Sequence, residues 1–288
     1  MTLPNLAGRS ILITGGTNGI GLEAAVALAG AGANVSIVGR DPARTAAAVA
    51  DIKSRANSDL VDSFLCDFAD PVAIRALAAS VRTRLPQLHV LVNNAGTVHA
   101  ERTVTAGGIE ATFAVNHLGY FLLTQLLLDV MIASAPARVV IVSSTGHYQG
   151  TLNFEDIGFE KGYSIMAAYR RSKLANVLYA RSLAKKLAGT GVTVNALHPG
   201  GVATNIWTGA PGWAKPLLTV AQWFMLTPAQ GAERITYLAA SADVAEVTGG
   251  YFHDNVQRTP SLFAQDAALG DRLWTRSEQL VGLNASRE

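Results

Sequence analysis

Six short, mostly apolar runs recur along the chain: SILIT at 10–14, NVSIVG at 34–39, VDSFLC at 61–66, LHVLV at 88–92, RVVIVS at 138–143 and VTVNAL at 192–197. They do not alternate strictly between apolar and polar positions, which is the pattern of strands covered on both faces. Between them lie alanine-rich amphipathic segments at 20–30, 42–55, 71–84, 110–132 and 170–188. Strand and helix alternating at this pitch predict right-handed βαβ crossovers. The expected fold is therefore α/β, a single-domain doubly wound (Rossmann) parallel sheet with helices on both faces. No repeat, charge block or Pro/Ser-rich linker divides the chain, so residues 1–288 read as one domain. In such a fold the ligand crevice opens at the carboxyl ends of the strands, where the strand order reverses.

Two stretches interrupt the pattern. Residues 145–162 (TGHYQGTLNFEDIGFEKG) are rich in glycine without helical periodicity and read as a loop. Residues 205–227 (NIWTGAPGWAKPLLTVAQWFMLT) set Trp207, Trp213 and Trp223 among glycine and proline breaks. This insertion reads either as a lid over an apolar substrate or as a face packed on the core or a partner subunit, and the punctuation favours the lid. Residues 255–288 read as a C-terminal extension.

Composition narrows the function. With 23 Lys and Arg against 21 Asp and Glu, the net charge is +2, and the basic residues are scattered. That leaves no electrostatic case for nucleic acid. Cys66 is the only cysteine, which excludes an internal disulfide and reads as a buried structural thiol. The six histidines include no i, i+4 pair and no cysteine companions, so no metal site is expected. The absence of a Gly-x-Ser-x-Gly elbow argues against a serine hydrolase. The opening MTLPNLAGRS carries no export signal, and no uninterrupted apolar run reaches a bilayer's span. No transmembrane segment is predicted, and the expected location is cytoplasmic.

The first run leads into TGGTNGIG and then a helix. Glycines here allow a tight turn, close approach of backbone to a pyrophosphate and close packing of helix on strand, with phosphate held by N–H groups at the positive helix end. The second run ends at Gly39 and Arg40. An NAD site usually has a carboxylate at this point for the ribose 2′-hydroxyl, whereas an arginine fork suits a 2′-phosphate. Arg40 as a solvated partner of Asp41 is the alternative. NADP(H) is favoured over NAD(H).

Tyr169 and Lys173 lie four residues apart at the start of a helical stretch, which stacks them on one face. A free phenol has a pKa near ~10, and a neighbouring ammonium and an oxidised nicotinamide both favour its phenolate. Tyr169 then suits general acid or base work on a carbonyl or alcohol. Of Ser143 and Ser144 at the end of the fifth run, alternation lets only one face the same rim, to stabilise charge on the substrate oxygen.

TGGTNGIG, Asp67 in CDFAD, NNAG at 93–96, Asn116 in FAVNHLG, Ser144 in IVSST, YRRSK at 169–173 and HPGGVAT at 198–204 together resemble the short-chain dehydrogenase/reductase family. The likeness runs from about residue 8 to about residue 255. GGIEATFAVNHLG, VNALHPGGVATNI and the 25 positions from Ser144 to Tyr169 resemble its retinol-dehydrogenase-like branch. The resemblance implies that Ser144, Tyr169 and Lys173 are catalytic and that Asn116 ties Lys173 to a water-linked proton path. It implies a cofactor held by Gly15, Thr17, Asn18, Gly19, Ile20, Gly21 and Arg40 at the phosphates, with Tyr169 and Lys173 against its reactive end. Asp67 and Phe68 would flank the adenine, Asn93, Ala95 and Gly96 the ribose side, and Pro199, Gly200, Val202 and Thr204 the nicotinamide. His147, Tyr148, Trp207 and Trp213 are candidates to line a substrate pocket. The expected activity is NADP(H)-dependent hydride transfer to or from a carbonyl or alcohol of a lipophilic small molecule. A catalytically silent NADP(H)-binding redox sensor is the alternative. The resemblance also implies a homo-oligomer, although members of the branch occur as monomers.

Overall fold

A computed structural model describes residues 3–201 and 226–283. The strands are β1 (Ser10–Thr14), β2 (Asn34–Gly39), β3 (Val61–Leu65), β4 (Val90–Asn93), β5 (Ala137–Val142), β6 (Val192–His198), β7 (Tyr251–His253) and β8 (Val256–Arg258). The helices between them are α1 (Gly19–Gly30), α2 (Pro42–Ala56), α3 (Pro71–Arg84), α4 (Ala111–Ala133), α5 (Ile165–Lys186) and α6 (Pro228–Ala240). A single turn α7 (Leu262–Gln265) and α8 (Ala267–Val281) complete the described chain.

All eight strands form one sheet in the order β3-β2-β1-β4-β5-β6-β7-β8, parallel throughout except for β8. This is the expected doubly wound architecture, and each of the six apolar runs supplies a strand. β7 and β8 are three residues each, too short to show a period in the sequence. The order reverses between β1 and β4, which pair directly, so the crevice lies above Thr14 and Asn93.

Side-chain alternation divides the core between the two faces. Leu12, Val139 and Ile141 pack under α3, α4, α5 and α8, while Ile11, Ile13, Val140 and Val142 pack under α1 and α6. Asp41 and Asp70 cap α2 and α3 by accepting from the Arg44 and Val72 amides, and a proline opens each helix. By length and composition α4 is able to cross a membrane, although no single run within it suggested this. Yet 61% of its most apolar stretch is buried, with Phe121, Leu123 and Leu127 in the core. Its apolarity is accounted for by packing inside the fold.

The 145–162 stretch is largely irregular but contains two 3-10 turns, at Thr145–Gln149 and Phe154–Asp156. The extension is built into the domain: Trp274 of α8 lies against Phe121 and Tyr179, and Arg75 of α3 donates to the carbonyl of Val281 at 2.7 Å. Val202, Thr204, Trp207, Trp213 and nearly all of the suggested lid lie outside the described residues.

Candidate active site

Thr14 closes the sheet where its order reverses. Its hydroxyl donates to the Val92 carbonyl at 3.2 Å and accepts from the amides of Asn94 and Ala95 at 2.8 and 3.0 Å. The Asn94 amide returns the link, donating to the carbonyls of Thr14 and Gly15 at 2.9 and 3.0 Å. Gly15 is in the left-handed region (φ +67°), and a Cβ there would meet the Ala95 backbone at 2.8 Å. A side chain at Gly21 would run into the Gly15 carbonyl at 2.4 Å. The glycine turn therefore sits tight against β4, with the start of α1 facing a cleft of roughly 1160 Å³.

At one end of this cleft, Gly39 terminates β2. A Cβ there would lie 2.1 Å from the Thr45 hydroxyl and 2.5 Å from Thr17, so a carboxylate-bearing side chain at that position would require both threonines to shift. Arg40 and Arg44 line the same end, while the Asp41 carboxylate caps α2 at the Arg44 amide. Two guanidinium groups and no carboxylate at Gly39 make a donor set suited to a phosphate on the ribose. Cys66, buried as expected, also lines the cleft, and burial, reinforced by Asp67 and Asp70, pushes its thiol up to about 12.

At the other end stand Ser144, Tyr169 and Lys173. The Ser164 hydroxyl caps α5 at the Ala167 amide, and one helical turn separates Tyr169 from Lys173. The lysine nitrogen is 5.6 Å from the centre of the tyrosine ring and donates to the Val142 carbonyl at 3.1 Å. Burial pulls its pKa down to about 8. Burial raises the pKa of Tyr169, against which a hydrogen bond with Ser144 acts in the lowering direction. The sequence suggested that the lysine would acidify the phenol; in the protein alone, burial is the largest influence and the phenol is raised instead. Ser144 Oγ accepts from the Gly146 amide at 3.1 Å, which leaves its hydrogen to donate elsewhere. Ser143 points the other way, with its hydroxyl donating to the Lys173 carbonyl at 2.8 Å.

Most of the sequence-predicted residues come together here. Gly15, Thr17, Asn18, Gly19, Ile20, Arg40, Asp67, Phe68, Ala95, Gly96, Pro199 and Gly200 line the cleft with Tyr148, Ser144, Tyr169 and Lys173. Four others, Asn93, Gly21, His147 and Asn116, are not among its described lining residues. Asn93, the last residue of β4, is fully buried and turned towards α4, where its amide donates to Thr124 at 3.0 Å. The brace across the switch point is its neighbour Asn94, which the alternation of β4 puts on the opposite side. Gly21 packs helix against turn without reaching the cleft. His147 is fully buried beneath the Ser144 turn, both ring nitrogens engaged with backbone, and it is not among the described residues that line the cleft.

Asn116 lies on a π-helical turn (Ala114–Leu118) within α4, a local widening often found at functional sites. Its carboxamide holds both backbone groups of Thr97, at 2.8 and 3.0 Å, and donates to Ser172 at 3.2 Å. Ser172 in turn donates to the Tyr169 carbonyl at 2.7 Å. Asn116 thus reaches α5 through Ser172. Sequence reasoning quoted Thr14 and Asn94 within TGGTNGIG and NNAG without giving them their bracing role, and it missed Arg44. Arg44 lies four positions beyond Arg40, in the first turn of α2.

The short chain dehydrogenase family model matches residues 9–214, and the chain belongs to that family. It is 42% identical to mouse retinol dehydrogenase 14 over 96% of this chain and 86% of the other, which fits the retinol-dehydrogenase-like branch. Among solved structures, a putative uncharacterized protein from Mycobacterium paratuberculosis superposes with a TM-score of 0.79 at 30% identity, covering 97% of this chain and 96% of that one. The Pseudomonas aeruginosa RhlG/NADP active-site complex superposes at 0.71 with 26% identity, over 94% of this chain and 99% of that one.

Proposed function

We propose that this protein is an NADP(H)-dependent oxidoreductase that interconverts a carbonyl and the corresponding alcohol on a lipophilic small molecule. The observation that carries the reading is the convergence of Ser144, Tyr169 and Lys173 on the cleft formed by the glycine turn. When bound, the cofactor supplies the hydride or accepts it. The start of α1 and the Gly15–Gly19 turn would hold its pyrophosphate, with Arg40 and Arg44 at the ribose phosphate.

Ser144 and Tyr169 present two hydroxyls to one substrate oxygen. Ser144 donates a hydrogen bond that stabilises negative charge on that oxygen. Tyr169 gives the oxygen its proton during reduction and takes it back during oxidation. Lys173, charged at neutral pH with its pKa near 8, sits beneath the phenol ring and favours the phenolate each time the proton leaves. Val104, Val115 and Met166 give the cleft apolar walls, and the name of the mouse relative supports an extended apolar alcohol or aldehyde as substrate.

A panel of aliphatic and isoprenoid aldehydes and ketones, assayed with NADPH beside NADH, tests this. Consumption of NADPH with a kcat/KM at least about tenfold above that with NADH is expected, from one charge-assisted contact of about 1.5 kcal/mol. Preference for NADH, or no turnover across the panel, contradicts the reading.

A further inference from the structure

The His147 ring lies beneath the catalytic serine without touching the cleft. Its Nδ1 is 2.7 Å from the Ser144 carbonyl oxygen and must therefore carry the proton. Its Nε2 accepts from the Ser261 amide at 3.2 Å. These partners admit a single neutral tautomer, a donor towards the serine and an acceptor towards the C-terminal segment. The ring is fully buried and packed against Tyr148 and Tyr251, with centroids at 4.1 and 4.4 Å. A second tie runs parallel to it: the Tyr148 hydroxyl donates to the Thr259 carbonyl at 2.8 Å. Ser261 is itself fixed, its hydroxyl capping α7 at the Ala264 amide. The 3-10 turn after Ser144 is thus bolted at two points to residues 259–261.

We propose that His147 is a positioning residue, whose ring joins the Ser144 carbonyl to the Ser261 amide so that the C-terminal segment sets the place of the catalytic hydroxyl. The idea rests on Ser144 being catalytic, as argued above. Ser144 is the junction between β5 and the turn, and its carbonyl accepts both the His147 amide at 3.1 Å and the His147 ring. Without the ring, one amide of a short 3-10 turn is left to hold that carbonyl, and the hydroxyl shares its backbone. A displacement of about 1 Å at a reacting group is enough to lower turnover by about 100-fold.

Four variants of the full chain test the proposal: His147→Asn, His147→Gln, Ser144→Ala and the Ser144→Ala/His147→Gln pair. The Asn carboxamide nitrogen falls where Nδ1 stands and keeps the tie to Ser144. The longer Gln reaches the Ser261 amide and gives up the serine. His147→Asn is expected to keep kcat within about threefold of the parent, while His147→Gln lowers it at least about tenfold with the KM for NADPH unchanged. In the Ser144→Ala background, His147→Gln is expected to cost nothing further, because the group it positions is gone. An equal loss in both backgrounds, equal kcat for the Asn and Gln variants, or no loss with Gln overturns the proposal. Full turnover by Ser144→Ala would instead contradict the catalytic reading itself. If His147→Gln does not fold, Tyr148→Phe removes the exposed second tie. A two- to fivefold drop in kcat that vanishes in the Ser144→Ala background is then expected, and the same drop in both backgrounds overturns the idea.

Discussion

At the scale of single residues, the site holds a group that the fold alone would not choose. Lys173 is almost fully buried, and its described hydrogen bond is to one backbone carbonyl. Its pKa falls from 10.5 to about 8, so the unfolded chain binds more protons than the native one between those values. Stability therefore rises with pH across that window, and the contribution is lost as pH falls to about 8. Below it the charged amine remains buried at a cost on the order of 3 kcal/mol. Lys173→Met is expected to keep or raise the melting temperature at pH 7, to flatten the rise between pH 8 and 10, and to abolish turnover. Thermal melts across that range, beside an activity assay, check this. A melting temperature several degrees lower at pH 7 would show that the amine is structural.

At the scale of elements, much was legible and the rest has identifiable causes. Five of the six longer strands announced themselves because both faces are largely buried and their runs are apolar; β3, at the sheet edge, alternates buried and exposed positions and was read from Val61, Phe64 and Leu65. β7 and β8 did not, because a three-residue strand cannot display a period. The glycine turn was readable from residue type, since Gly15 needs a positive φ and Gly21 has no room for a side chain. The facing of Asn93 and Asn94 was not, because NNAG gives the pair without the register that turns one inward. His147 was misplaced for a related reason: its partner Ser261 lies 114 positions away, and no local pattern encodes that contact. The 255–288 stretch read as a C-terminal extension, with no sequence signal for how it packs; in the structure α8 lies beside α4 and α5. Trp274→Ala, which removes the ring between Phe121 and Tyr179, is expected to cost about 3–5 kcal/mol in urea unfolding. A change below about 1 kcal/mol would mean that α8 is only loosely attached.

At the scale of the whole molecule, one sheet supports two ends of a single cleft. The reversal between β1 and β4 opens it, Thr14 and Asn94 hold its floor, and the turn after β2 and the first turn of α2 deliver Arg40 and Arg44, while the end of β5 and α5 deliver the serine, tyrosine and lysine. Charge is concentrated where a ribose phosphate would lie, and desolvation where a proton must move. The account as a whole depends on the Tyr169 phenol being the proton donor and acceptor. Its most direct test is Tyr169→Phe, measuring NADPH-dependent carbonyl reduction alongside NADPH binding by fluorescence. Turnover is expected to fall by about 10²–10⁴-fold with binding preserved. Turnover at the parent rate with the phenol removed would contradict it.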